Sequence, residues 1–128
     1  QSFLQKVDTL YNIQPRKEQP PKNRKEEIYR KLIQLVIENY THERRAQFYA
    51  DRLNISLQHL STTVKQVTGK NLLDIIAGVV LMDVKAKLKS TDMTVQEIAY
   101  SLNFPSASFF GKYFKRYMGI SPLEYRNS

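Results

Sequence analysis

Two short sets of side chains in this sequence have the types and spacing for hydrogen-bond recognition of a patterned surface. Gln58, Ser61, Thr62 and Lys65 fall at i, i+3, i+4 and i+7 and therefore share one face of a helix, with His59 and Gln66 flanking them. Ala107, Ser108, Gly111 and Lys112 share a face in the same way, with Lys115 and Arg116 at its edge. A glutamine amide matches the edge of adenine, Ser and Thr hydroxyls adapt to several bases, and an ammonium such as that of Lys112 donates to guanine. Small residues at Ala107, Ser108 and Gly111 would let a helix sit deep in a groove. Lys65, Lys115 and Arg116 suit phosphate, and helix starts near Ser56 and Ser106 offer backbone amides to the same anion. For the first set, a plain solvated face is the competing reading.

The second set lies inside an aromatic, basic strip. Six Phe or Tyr residues stand between Phe104 and Tyr117, with Lys112, Lys115 and Arg116 among them. Phe110, Phe114 and Tyr117 follow i, i+4, i+7 and point away from the polar face, so they are expected to be core rather than stacking platforms for single-stranded bases, which are normally built on sheets. Phe109 lies at the boundary and is placed to meet a thymine methyl; Tyr113 fits either role.

The inventory for catalysis is poor. His42 and His59 stand alone, with no Cys, no HExxH pair and no glycine-rich phosphate loop. The acids are dispersed among basic residues, and Asp51 with Arg52 or Glu26 with Arg30 read as ordinary helix-face pairs. The sequence therefore points away from an enzyme and implies no cofactor or metal.

The elements that would position these faces are helical almost throughout. Residues 1–13 carry a short stripe at Phe3, Val7, Leu10 and Tyr11, and residues 14–23, with three of the five prolines, read as a linker. From Arg24 onward, stripes recur: Ile28, Leu32, Leu35 and Val36; then Phe48, Tyr49 and Leu53; then Leu57, Leu60, Val64 and Val67, between an N-cap at Ser56 and a left-handed Gly69. Leu72 to Lys89 is apolar on most sides, as expected of a helix buried between two bodies, and Gly78 within it fits either a close approach or simple tolerance. Thr94 and Glu97 form a capping box before Ile98, Ala99 and Leu102. A further helix runs from about Ser106 to Gly119, and Ser121, Pro122 and Glu124 start a short last one.

An internal repeat organises these pieces. Ala50, Leu53 and Asn54 match Ala99, Leu102 and Asn103 at a constant offset; Leu60, Lys65 and Gly69 match Phe110, Lys115 and Gly119 at an offset one residue larger. Each copy is a short helix with a small Ala toward its partner, a turn through Asn with one extra residue in the second copy, and a longer helix ended by Gly. This is the layout of a helix-turn-helix, whose second helix enters the major groove.

The chain has 128 residues, with 20 Lys and Arg against 12 acids and a net charge of +8, which favours a polyanionic partner. The absence of Cys suits a reducing cytoplasm, and the longest strongly apolar run, Ile75 to Met82, is far short of the ~20 residues of a membrane span. The first residue is Gln, so a fragment of a longer protein is expected. A helical module that binds a protein partner is the alternative class; double-stranded RNA binding lacks the expected mixed sheet.

At ADRLNIS (50–56), LSTTVKQVTGK (60–70) and EIAYSLNFPSASFFGKYFKRYMGISPLEYR (97–126), the sequence resembles the DNA-binding module of the AraC family of bacterial transcription regulators, over about Arg24 to Arg126. The resemblance implies an all-α, homeodomain-like fold of seven helices over 24–128, with helix-turn-helix subdomains at about 24–70 and 91–128 and a connecting helix at about 71–90. Residues 1–23 would be the last helix and linker of a missing effector-sensing, dimerising domain. Carried over by position, base contacts fall on Gln58, Ser61, Thr62, Ala107, Ser108, Gly111 and Lys112, and phosphate contacts on Ser56, Lys65, Ser106, Lys115 and Arg116. The partners implied are double-stranded DNA and RNA polymerase, and the role is that of a cytoplasmic transcription regulator, with activator and repressor both open. The chain departs from the family at Thr62 and Val79, where Arg is common.

Overall fold

The computed structural model describes residues 22–128; the N-terminal stripe and most of the linker expected over 1–23 lie outside the described residues. The described chain contains seven helices: α1 (Arg24–Asn39), α2 (Ala46–Arg52), α3 (Leu57–Thr68), α4 (Leu72–Ser90), α5 (Val95–Ser101), α6 (Ala107–Met118) and α7 (Pro122–Arg126). No described helix is long and apolar enough to cross a membrane.

The helix starts are written in side-chain oxygens. Asn23, Ser56, Asn71, Thr94, Ser106 and Ser121 each accept a hydrogen bond from the backbone N–H three residues on, and Thr94–Glu97 and Ser121–Glu124 are complete capping boxes. The exception is α2, where Arg45 makes no side-chain cap and instead grips the Glu43 carboxylate at 2.7 Å. That guanidinium holds the Glu43 carboxyl below its usual range.

The repeat is real at the level of single hydrogen bonds. Asn54 N–H donates to Asp51 and Ile55 N–H to Ala50; Asn103 N–H donates to Tyr100 and Phe104 N–H to Ala99. Both asparagines sit at φ 58°, a left-handed conformation that Asn tolerates better than most residues. The longer helices end alike too: Gly69 at φ 76° and Gly119 at φ 82° donate to Lys65 O and Lys115 O, each at 2.9 Å. Ala50 and Ala99 are fully buried where the two helices of each copy cross.

Helix α4 explains why its sequence is apolar nearly all round. Leu72, Ile75, Ile76 and Val79 belong to a core with Leu32, Val36, Tyr49, Leu60 and Val64. Ala77, Val80, Leu81, Val84 and Leu88 belong to a second core with Ile98, Leu102, Phe110 and Phe114. Each set follows i, i+3, i+4, i+7, so one helix carries two stripes for two separate bodies. Gly78 is buried between them, and Val79 is a core residue.

Three local expectations need correction. Leu57, expected in the inward stripe of α3, is 36% exposed: it is the first residue of the helix and lines an open groove instead of either core. The pair Glu26–Arg30 does not form: Glu26 folds back to accept the Lys22 N–H, and Arg30 Nε is buried without a hydrogen-bond partner among the described residues. Nor do Asp51 and Arg52 pair, since adjacent helical residues do not face each other; Asp51 accepts from Gln47, and Arg52 lies over the Phe48 ring at 4.7 Å.

Leu60 and Phe110 are equivalent positions in the two cores, both fully buried. Truncation is expected to cost about 2–5 kcal/mol for Leu60→Ala and about 3–5 kcal/mol for Phe110→Ala, read by denaturant titration.

Candidate nucleic-acid interface

The polar set on α3 lies opposite the buried face formed by Leu60, Thr63 and Val64. Gln58 and Thr62 are exposed and Ser61 is half-buried. On α6, Phe110 and Phe114 point into the core, leaving Ser108 and Lys112 exposed and Ala107 and Gly111 half-buried at the surface. The structure thus sets all seven expected base-contacting residues outward, on the second helix of each repeat.

The aromatics divide as their spacing implies. Phe104 is buried, with ring centroids 5.0 Å from Phe110 and 5.2 Å from Tyr113. Tyr113, which fitted either role, packs between Phe104 and Tyr117, and burial raises its hydroxyl pKa, so it stays neutral. Phe109 remains 53% exposed at the rim of the α6 face, where an apolar contact from outside is open to it.

Gly111 carries a further signal. It lies inside a helix, where glycine costs ~1 kcal/mol relative to Ala. Among the described residues a Cβ built there would meet nothing within 4 Å, so their packing does not require its absence. A bare backbone patch next to Lys112 fits close approach by something outside the molecule.

The cations differ in their freedom. Lys65 Nζ donates to Gly69 O at 3.0 Å, closing its own helix end, and keeps two further donors. Lys115 and Arg116 are exposed in the last turn of α6. Ser56 and Ser106 use their oxygens as caps on His59 and Phe109. What they leave for an anion is the hydroxyl proton and the first-turn amides that no helical carbonyl can reach.

A feature invisible in the sequence joins the two faces. Ser61, Thr62 and Lys65 of α3 line an open groove of about 880 Å³ whose far side is Arg116 and Tyr117 of α6, over a floor that includes Leu73. The two readers therefore border one continuous depression. No spacing rule connects residues so far apart; the tertiary packing of the two units brings them together.

Residues 49–128, more than half of the chain, match the model of a family described as a helix-turn-helix domain. The chain belongs to this family, in its AraC type. The regulator YpdC of Escherichia coli strain K12, an uncharacterised helix-turn-helix transcriptional regulator, is 25% identical over 124 residues, covering 97% of this chain and 42% of its own length. This chain thus spans less than half of that relative. Among solved structures, the C-terminal domain of AraT, a response regulator from Geobacillus stearothermophilus, superposes with a TM-score of 0.72 at 26% identity, over 82% of this chain and 88% of that one. The DNA-binding domain of AdpA, solved with a target DNA, shares the fold at a TM-score of 0.65 and 22% identity, over 76% of this chain and 87% of that one.

Gly111→Ala separates folding from recognition. It is expected to raise stability by ~1 kcal/mol in a thermal melt while weakening duplex binding in a fluorescence anisotropy titration. A gain in both would show that the bare patch serves no contact.

Proposed function

We propose that this chain binds double-stranded DNA sequence-specifically, laying α3 and α6 into successive major grooves on one side of the duplex. The observation that carries this reading is the repetition of the turn, with the left-handed Asn and the residue after it making equivalent backbone bonds in both copies and the second helix of each presenting a small, polar outer face. The 19 residues of α4 at ~1.5 Å each span just under ~30 Å, against ~34 Å for one turn of DNA, so a modest bend of the duplex brings both helices into register. One chain would read an asymmetric site without dyad symmetry.

In this reading Gln58, Ser61 and Thr62 contact bases in one groove, and Ala107, Ser108, Gly111 and Lys112 in the next. Lys65, Lys115 and Arg116 hold phosphates, helped by the helix starts at Ser56 and Ser106. What supports the assignment is exposure, charge and the fold shared with a domain solved on its target DNA. The chain would serve as the DNA-reading part of a longer cytoplasmic transcription regulator that contacts RNA polymerase and dimerises through another domain, and it performs no catalysis itself.

Selection of binding sequences from random duplexes, followed by anisotropy at several salt concentrations, tests the proposal. Specific binding is expected to weaken steeply with salt and to keep a sequence preference. Lys112→Ala is expected to cost ~1–3 kcal/mol and relax preference at one base pair, while Lys115→Ala weakens all sequences alike. Identical behaviour of the two variants on matched and scrambled sites would refute the roles given to them.

A further inference from the structure

The two reading units touch each other directly as well as through α4, and the contact centres on one arginine. Arg44, in the loop after α1, donates from Nη1 to Leu102 O at 2.8 Å and from Nη2 to Asn103 O at 3.4 Å. Nη1 also reaches Tyr40 O at 3.1 Å within its own loop. The guanidinium carbon stands 4.0 Å from the centroid of the Phe104 ring, within the range of a cation–π contact. Asn103 returns the connection, donating from Nδ2 to Thr41 O at 2.9 Å. The same loop is tied to the connecting helix, because Tyr40 donates its hydroxyl to Asp83 Oδ2 at 2.7 Å and Lys87 reaches that oxygen at 3.1 Å.

This contact falls on the turn, where the two copies of the repeat differ in length. The second turn holds an extra residue between Asn103 and its helix cap, in the segment Phe104–Pro105–Ser106 where the first has Ile55–Ser56. Phe104 supplies the ring under Arg44, whereas Asn54, the counterpart of Asn103, makes no cross-unit bond among the described residues. The carbonyls that Arg44 engages close α5, where a cation is favoured by the helix dipole. Burial pulls the guanidinium pKa down from its usual value, so the charge is held partly out of water.

A helix is stiff along its axis, but two bodies seated on separate stripes of one helix can still rock about it. We infer that Arg44 is a positioning residue for DNA recognition: by fastening the first unit's loop to the second unit's turn, it fixes the spacing and mutual orientation of α3 and α6, and so the separation of the two base-pair clusters the chain accepts. This inference rests on the reading of α3 and α6 as major-groove helices. Three of the five guanidinium N–H donors of Arg44 are spent on protein carbonyls.

The test pairs a binding measurement with a distance measurement, using wild type, Arg44→Met and Asn103→Gly. The glycine keeps the left-handed turn available and removes only the cross-unit side-chain bond, so it guards against a variant that merely fails to fold. On the selected duplex and on versions lengthened or shortened by one base pair between the two contact clusters, wild type is expected to lose ~10-fold or more in affinity, the scale of one mispaired position. Arg44→Met is expected to lose affinity on the selected spacing and little on the altered ones, reducing that discrimination several-fold; Asn103→Gly moves the same way by less. Because the chain has no native Cys, spin labels at Gln58→Cys and Ser108→Cys report the distance between the two helices without DNA, and its distribution is expected to broaden in both variants. Unchanged discrimination, an equal loss on every spacing, or an unchanged distance distribution would overturn the inference. If wild type shows no preference for any duplex, the major-groove reading fails and takes this inference with it, a result the distance measurement leaves distinct.

Discussion

The structure depends on a single constraint: α4 must satisfy two hydrophobic cores at once. An amphipathic helix ordinarily buries one stripe and leaves the rest to water. Here Leu72, Ile75, Ile76 and Val79 close one core while Ala77, Val80, Leu81, Val84 and Leu88 close the other. Neither unit has enough apolar surface of its own to dispense with its share of α4, since each comprises only a few short helices. The helix therefore acts as the third wall of both bodies, and the direction in which each body faces follows from which side of α4 it occupies. The outward course of α3 and α6, and the groove they share, are consequences of that arrangement.

Much of this was legible in the sequence because it is written locally. A Ser or Thr followed three residues later by Glu, a Gly at a left-handed position and an Asn in a turn act over one helical turn, and their geometry at Thr94, Ser121, Gly69, Gly119, Asn54 and Asn103 is as the residue types imply. The all-round apolar character of Leu72 to Lys89 likewise implied two neighbours. The parts that were not legible depend on long-range packing. Nothing in the spacing around Arg44 marks it, and its cross-unit partners lie 58 and 59 positions away. Leu57 matched a stripe by spacing and still ended exposed. Glu26 and Arg30 had suitable spacing for a pair, but the helix start claimed the carboxylate first. The roles of the outward residues toward DNA are a separate matter: the sequence set implies them and the fold turns them outward, while the contacts themselves belong to the proposal.

The two copies have diverged in ways that suit different work on the proposed duplex. The outer side of α6 carries Lys112, Lys115 and Arg116 with no acid among them, and adds the bare backbone of Gly111. The outer side of α3 carries neutral hydrogen-bonding groups and one ammonium, Lys65, already engaged with Gly69. Phosphate neutralisation governs affinity and salt response, whereas neutral groups at base edges govern discrimination with little electrostatic gain. On this division the second unit would supply most of the grip and the first mainly selectivity. A weak-gripping reader is useful only if the strong one delivers it to the right place, since its own contacts cannot offset the freedom lost in finding a register. A rigid link between the units is therefore worth more here than between two equally basic readers. On the proposed reading, that would be the physical reason for a clamp such as Arg44 on Leu102, Asn103 and Phe104, in the turn of the repeat that is one residue longer.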